Sequence, residues 1–244
     1  MIHIIGEGLI PEAQAFHDVR DALKFDRDVY LCSHIAKPLF GIELKDQAIY
    51  NLEPLYDGCR SLSIGYMEVL KNNHVIDYDK RNIAYLKSHG IEAFYMPYGY
   101  HKSLERPVEA VKDIDFLLVG SVNERRERIL KDLPKYGRFE WVQGVYGQEL
   151  DWLIARAKVH LNVHFCDDHP LEVVRLNYLM ANGCNVVSER GNSIEVNGLY
   201  CDGLHFADDV IERCLYALRN PKNGACVKLL KHDCTSANDW LNNR

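Results

Sequence analysis

The chain has 244 residues, 47% hydrophobic and 26% charged, with a net charge of −6 at neutral pH. This is the balance of a folded globular protein, and it excludes a disordered or fibrous chain. Residues 1–107 and 108–244 each carry a net −3, so no basic half or tail marks a protein that grips nucleic acid through its phosphates.

Taken in chain order, short apolar runs alternate with longer amphipathic ones. The start, Met1-Ile2-His3-Ile4-Ile5-Gly6, has neither a basic n-region nor a long apolar h-region, and reads as a first strand. Strands are predicted over His3–Ile5, Asp28–Cys32, Ala48–Leu52, His74–Asp77 and Ala93–Met96. Helices are predicted over Glu12–Lys24, Ser63–Lys71 and Lys80–His89, the last ending at Gly90 as a C-cap residue. Pro97–Pro107, with two prolines, a glycine and two tyrosines, reads as a connection.

The pattern then restarts. Strands are predicted over Asp115–Val119, Phe139–Gln143, Val159–Val163, Cys184–Ser188 and, weakly, His205–Phe206. The helices between and after them are Asn123–Leu133, Gln148–Ala157, Leu171–Ala181 and Asp208–Leu218. Near-continuous apolar strands alternating with helices imply parallel sheets covered on both faces. The expected fold class is α/β, with two small Rossmann-like domains facing a cleft. Residues 1–105 form the first and 106–225 the second. The tail, 226–244, contains a last helix around Trp240 and Leu241 that can pack back on the first domain.

No run approaches 18 apolar residues, so no membrane span is expected. None of the eight cysteines forms a C-x-x-C pair. A chain with this much core has no need of disulfides, so buried free thiols and a cytoplasmic location are expected.

Ligands of such sheets bind at the carboxyl ends of the strands, so the chemistry is sought in the loops there. Asp115–Val119 runs into Gly120-Ser121-Val122-Asn123 and a helix opening Glu124-Arg125-Arg126. Glycine lets the backbone approach a ligand, and the helix start and arginines offer donors to phosphate oxygens. The same residues also read as a plain strand–turn–helix with a solvated basic face. Gly144 and Tyr146, after the next strand, can contact and stack on a flat ring. Glu172 and Arg175 share a helix face, the carboxylate suited to ribose hydroxyls and the arginine to phosphate. His164 and Glu189 end two further strands.

This order of motifs resembles the second domain of GT-B-fold glycosyltransferases, which use nucleotide sugars. The resemblance rests on Gly144, Leu153-Ile154-Ala155-Arg156-Ala157, Val159–Val163, Leu179-Met180-Ala181-Asn182-Gly183 and Val186-Val187. Arg175, eight before Gly183, looks like the arginine of the spore-maturation-type branch. Tyr50-Asn51-Leu52-Glu53, Val75-Ile76-Asp77-Tyr78 and Met96-Pro97-Tyr98-Gly99-Tyr100 resemble small bacterial and phage members. Many relatives carry a glutamate for the donor ribose where this chain has Tyr178.

The resemblance implies transfer of a sugar from a nucleoside diphosphate to an acceptor. The acceptor is open: a glycan, a small molecule, or a hydroxymethylated DNA base as in phage-type enzymes. A non-catalytic nucleotide-binding module is the alternative from another class. A dinucleotide-dependent oxidoreductase ranks below both, because no full G-x-G-x-x-G follows a strand. Donor binding is expected at Gly120, Ser121, Asn123, Arg125, Arg126, Gly144, Tyr146, His164, Glu172, Arg175 and Glu189. The base is expected at Asp77 or Glu53, with Glu7 and His34 as further candidates.

No cofactor is expected beyond the nucleotide-sugar substrate. No metal site is expected either, since arginines and a helix start can stabilise the leaving diphosphate. Asp77-Tyr78-Asp79 is literally an Asp-x-Asp, a pattern that binds metal in the other large glycosyltransferase fold. His160, His164 and His169 lie close together with Asp167 and Asp168; the spacing of His160 and His164, four apart, would suit zinc on a helix, but Val159–Val163 reads as a strand.

Overall fold

A computed structural model describes residues 1–7, 20, 23–59, 62, 65–106, 108–167, 169–200, 202–224, 227 and 233–244. Most of the predicted helix Glu12–Lys24, with Ser63, Asp168, Cys201 and Cys226, lies outside the described residues. The chain divides into two units, one of Met1–Tyr98 with Lys231–Arg244 and one of Gly99–Leu230.

The first unit holds a five-stranded parallel sheet in the order β1 (Ile2–Ile4), β2 (Val29–Leu31), β3 (Ala48–Asn51), β4 (His74–Asp77), β5 (Ala93–Tyr95). Strands β3 and β4 are almost wholly buried, which is why they read as continuous apolar runs. Helices α1 (Ala36–Phe40), α2 (Tyr66–Lys71) and α3 (Lys80–Ser88) belong to this unit. Helix α1 was not foreseen, because Pro38 interrupts any helical pattern in so short a segment. Asp79 caps α3, its Oδ1 accepting from Arg81 N at 2.7 Å and Asn82 N at 3.4 Å. Ile49, Val75, Leu70, Leu86 and Tyr66 lie in the core.

The C-terminal helix, Cys234–Asn242, belongs to the first unit. Ala237 and Leu241 are buried, and Trp240 lies 5.7 Å from Phe94. Asn238 accepts from Asp26 N and donates to Lys24 O, while Arg27 donates to Leu241 O.

The second unit also has five parallel strands, ordered β10-β9-β8-β6-β7. They are β6 (Ile114–Val119), β7 (Phe139–Val142), β8 (Ala157–Asn162), β9 (Val186–Glu189) and β10 (His205–Ala207). Helices α4 (Glu124–Leu130), α5 (Gly147–Arg156), α6 (Val173–Ala181), α7 (Ile194–Tyr200) and α8 (Val210–Arg219) connect and flank them. Ala157, predicted to end a helix, instead opens β8, where it pairs with Ile114. Phe116, Leu118, Val159, Leu161, Val187 and Cys214 form the core.

The two sheets differ in a way that bears on function. The first runs in sequence order without reversal. In the second, the chain steps from β6 to β7 and then returns to β8 on the other side of β6. That reversal opens a crevice at the carboxyl ends of β6 and β8, where open α/β sheets bind ligands.

Among the described residues six cysteines are free thiols, and burial pushes Cys184 and Cys214 up to about 12. None of the described helices is long and apolar enough to cross a membrane.

Candidate functional site

The crevice is built on Gly120, which follows β6 with φ +151°, a backbone conformation that side-chain-bearing residues rarely adopt. A Cβ there would lie 3.0 Å from Arg126 Nη1 and 3.4 Å from Arg175 Nη2. Two guanidinium groups from different helices thus converge on the one backbone position that presents no side chain to them. Trp141, on β7, anchors the turn by donating to Gly120 O at 2.9 Å.

Arg126 is 2% exposed. It donates to Val163 O and Ser121 O, both at 2.9 Å, and its charge lies over the Phe165 ring at 5.6 Å. Burial lowers its proton affinity, helped by the charges of Arg175 and Arg125 and opposed by Glu172. Asn123 fixes the start of α4 by accepting from Arg126 N at 2.8 Å, and donates to Phe165 O. Arg175 Nη1 donates to Glu172 at 2.9 Å and to Asn162 Oδ1 at 3.2 Å. Its Nη2, facing Gly120, has no hydrogen bond among the described residues.

Glu172 reaches both arginines, with Oε2 on Arg175 and Oε1 3.6 Å from Arg126 Nη2. Burial raises its carboxyl, but the neighbouring cations, Arg175 first and Arg126 with it, outweigh that and hold it below the ordinary carboxylate range. Glu172 therefore organises the two arginines. Beside it, Gly191 packs closely on Leu171, where a Cβ would stand 2.4 Å from Leu171 N.

Arg125 is placed differently from its neighbour. It makes a two-pronged pair with Glu189 at 2.7 and 2.9 Å, and donates to Asp167 at 2.6 Å and His164 O at 2.9 Å. The Glu189 hydrogen bond is the main cause that strengthens its hold on its proton. Arg125 and Glu189, both foreseen as donor ligands, are thus partners of each other. Glu189 also accepts from His164 N at 2.7 Å. Gly144 and Tyr146 follow β7, on the far side of β6 from β8.

His164 follows β8 and is 3% exposed. Its Nε2 lies 3.1 Å from Arg190 O, and its ring stacks on His169 with centroids 5.3 Å apart. Burial is the main cause that lowers its proton affinity. His164, His169 and Glu172 bring candidate ligand atoms within 4.8 Å of one another. His160 stands apart, buried in β8 with Nε2 on Ile154 O at 3.0 Å, and burial pushes it down to about 4. A polar cavity of about 260 Å³ lies against His164, Cys166, Asp167, His169, Glu189 and Arg190. Sequence reasoning passed over Asn162, which links Arg175 to Ser188 Oγ at 2.9 Å; a polar residue ending a buried strand was the available signal.

In the first unit Asp77, a candidate for the base, is fully buried. Its carboxylate accepts from Asn51 Nδ2 at 2.7 Å, Asp79 N at 2.8 Å and Asn82 Nδ2 at 3.1 Å. Burial pushes the carboxyl up, against those three hydrogen bonds. Asp77 ties β3 to β4, where Asn51 and Asp77 are register partners, and Asp79 caps α3. Glu53 is one-third exposed. Its backbone N donates to Asn51 Oδ1 at 3.1 Å, and its Oε1 lies 3.6 Å from His34 Nδ1. Tyr66 donates to Asn51 Oδ1 at 3.0 Å and bonds Ser33 Oγ at 2.9 Å. The Glu53–His34 pair lies half-buried beside this network. Glu7 accepts a hydrogen bond from Arg20.

No family model matches the chain. Three proteins of Acanthamoeba polyphaga mimivirus, each described as uncharacterized, are similar to it. L138 is 28% identical over 151 residues, 57% of this chain and 17% of that protein. L140 is 34% identical over 115 residues, 42% of this chain and 37% of that protein. L137 is 29% identical over 163 residues, 61% of this chain and 21% of that protein. The chain therefore matches well under half the length of these relatives.

Among solved structures, S. aureus TarM, crystallised as a mutant with fondaparinux, α-GlcNAc-glycerol and UDP, superposes with a TM-score of 0.50 at 10% identity, covering 94% of this chain and 55% of that one. Sucrose-phosphate synthase from Thermosynechococcus elongatus gives 0.49 at 12% identity, covering 88% of this chain and 68% of that one. The likeness to TarM shows the fold: α/β, with two parallel-sheet Rossmann-like units of the GT-B class.

Proposed function

We propose that this chain is a glycosyltransferase that uses a nucleoside-diphosphate sugar. The observation that carries the reading is the convergence of Arg126 and Arg175 on Gly120, at the strand reversal of the second sheet. In the transfer the bond from the sugar's anomeric carbon to the diphosphate breaks, and a bond to the acceptor oxygen forms. The departing diphosphate gains negative charge, and prepositioned guanidinium groups stabilise it where it develops.

Arg175, with Nη2 turned to Gly120, is the proposed phosphate ligand, and Arg126 the buried charge behind it. Glu172, Asn162 and Asn123 set their orientation. Arg125 and Glu189 brace the wall of the site. Glu53, with His34 beside it, is the proposed base for the acceptor hydroxyl, and Asp77 positions it through Asn51.

The presence of UDP in the TarM complex makes UDP and UDP-sugars the first probes. Thermal shift and calorimetry against UDP, GDP and ADP, followed by release of UDP from UDP-sugars, test the reading. Tight diphosphate binding with slow hydrolysis of one donor is the expected result. Binding without hydrolysis or transfer to any acceptor class would make the chain a nucleotide-binding module, and no binding of any diphosphate would overturn the assignment.

A further inference from the structure

We propose that His164, His169 and Glu172 form a binding site for a divalent transition-metal ion of the zinc class. Each of the two imidazoles has one nitrogen against a backbone carbonyl. His164 Nε2 faces Arg190 O at 3.1 Å, and His169 Nδ1 faces Pro170 O at 2.7 Å. A carbonyl oxygen only accepts, so each of these nitrogens carries the ring proton. That leaves His164 Nδ1 and His169 Nε2 as the nitrogens bearing lone pairs. Metal-bound histidines have this same arrangement, the distal N–H held by a backbone carbonyl, which sets both tautomer and ring direction.

A second observation is independent of the cluster's spacing. His164 is 3% exposed, and its Nδ1 is buried without a hydrogen-bond partner among the described residues. Leaving such an acceptor unsatisfied costs on the order of 1–3 kcal/mol, and a coordinated ion would satisfy it. The third ligand, Glu172, already takes Arg175 and Arg126, but a carboxylate has about four lone-pair positions and these use two.

The arginines disfavour hard cations that bind by charge alone. Two imidazoles favour zinc, cobalt or nickel over magnesium or calcium. A tetrahedral zinc with bonds of about 2.0–2.1 Å needs its ligand atoms roughly 3.3 Å apart, so the group, now within 4.8 Å, closes by about 1 Å or more on binding. Three protein ligands leave one position open, and the cavity against His164 and His169 gives solvent or an anionic oxygen access to it.

The proposal does not rest on the sugar-transfer reading, and its test needs no donor. The full chain is stripped with chelator, dialysed, and titrated with Zn²⁺ alone by calorimetry. A parallel titration with Co²⁺ follows the visible absorption. Wild type is expected to bind one equivalent of Zn²⁺ with Kd below about 10 µM, and the Co²⁺ form to show the intense visible bands of a four-coordinate ion. His169→Ala, at a half-buried position, and Glu172→Gln, which keeps its volume, should each weaken Zn²⁺ by at least the roughly 10- to 100-fold that loss of an orienting partner alone costs. Circular dichroism confirms that the variants are folded, and either one suffices for the comparison. No saturable Zn²⁺ binding by wild type, or binding unchanged in a folded variant, would overturn the assignment.

Discussion

Arg125 and Arg126 are neighbours in the chain, and Arg175 lies far from both, yet the structure divides their work in a way that alanine variants can separate. Arg125→Ala removes a two-pronged pair to Glu189, whose members are 18% and 17% exposed, together with bonds to Asp167 and His164 O. Breaking a fully buried pair costs about 3–5 kcal/mol, and this partial exposure brings the figure to about 2–3 kcal/mol. A domain of this size then melts roughly 4–12 °C lower. UDP affinity should change little.

Arg175→Ala should do the reverse. Its side chain is 30% exposed and bonds within the chain only to Asn162 and Glu172 among the described residues, so the stability cost is about 1 kcal/mol or less. Loss of a charge-assisted bond to phosphate costs about 1.5–3 kcal/mol, which weakens UDP by roughly 10- to 150-fold. Scanning fluorimetry reads the first effect and calorimetry with UDP the second. If Arg125→Ala instead lost UDP binding at an unchanged melting temperature while Arg175→Ala bound normally, the phosphate corner would be misassigned.

Gly120→Ala should weaken UDP and lower stability by about 1–3 kcal/mol, since φ +151° is strained for alanine and its Cβ would press on Arg126; an unperturbed variant would show that the turn is not held as described. Asp77→Asn should lower stability by about 1–3 kcal/mol because an amide presents a donor where the carboxylate now meets only donors, whereas Glu53→Gln should slow transfer by about 10²–10⁴ without moving the melting temperature. Melting and turnover assays on the two variants separate these roles, and a reversed pattern would make Asp77 the base. His160 carries the pH prediction. Its folded-state value of about 4 lies below the usual 6.5, so the unfolded chain binds the proton more readily and stability falls as pH drops between those values. The arithmetic gives a loss of about 2 kcal/mol from pH 7.5 to pH 5, read by urea unfolding, and His160→Gln should flatten that dependence.

The strands of both sheets were legible because buried parallel strands are apolar on both faces, as Ile49–Tyr50 and Phe116–Leu118 show. The glycine turn after β6 was legible for the same reason, since an abrupt Gly-Ser ends an apolar run. What sequence does not carry is which polar side chains satisfy each other. Successive helix residues point about 100° apart, so Arg125 and Arg126 cannot face the same place, and only tertiary structure shows Arg125 turned to Glu189, which arrives from the end of β9. Asp77 shares this opacity: an acid ending a strand looks exposed until Asn51 and Asn82 are seen to enclose it. The order of the second sheet, with β8 returning beside β6, is likewise invisible in a list of elements, and it locates the crevice.

The return of Cys234–Asn242 to the first unit has a consequence for how the chain is made. Residues 99–230 are continuous, so the second unit has all its strands once that stretch has left the ribosome. The first unit, though translated earlier, lacks its partners for Asp26, Arg27 and Phe94 until Asn238, Trp240 and Leu241 emerge. Vectorial synthesis therefore runs against the usual order in which the leading domain folds first. During elongation the nascent first unit should stay protease-sensitive after the second has become resistant, and become protected once Asn238, Trp240 and Leu241 have emerged.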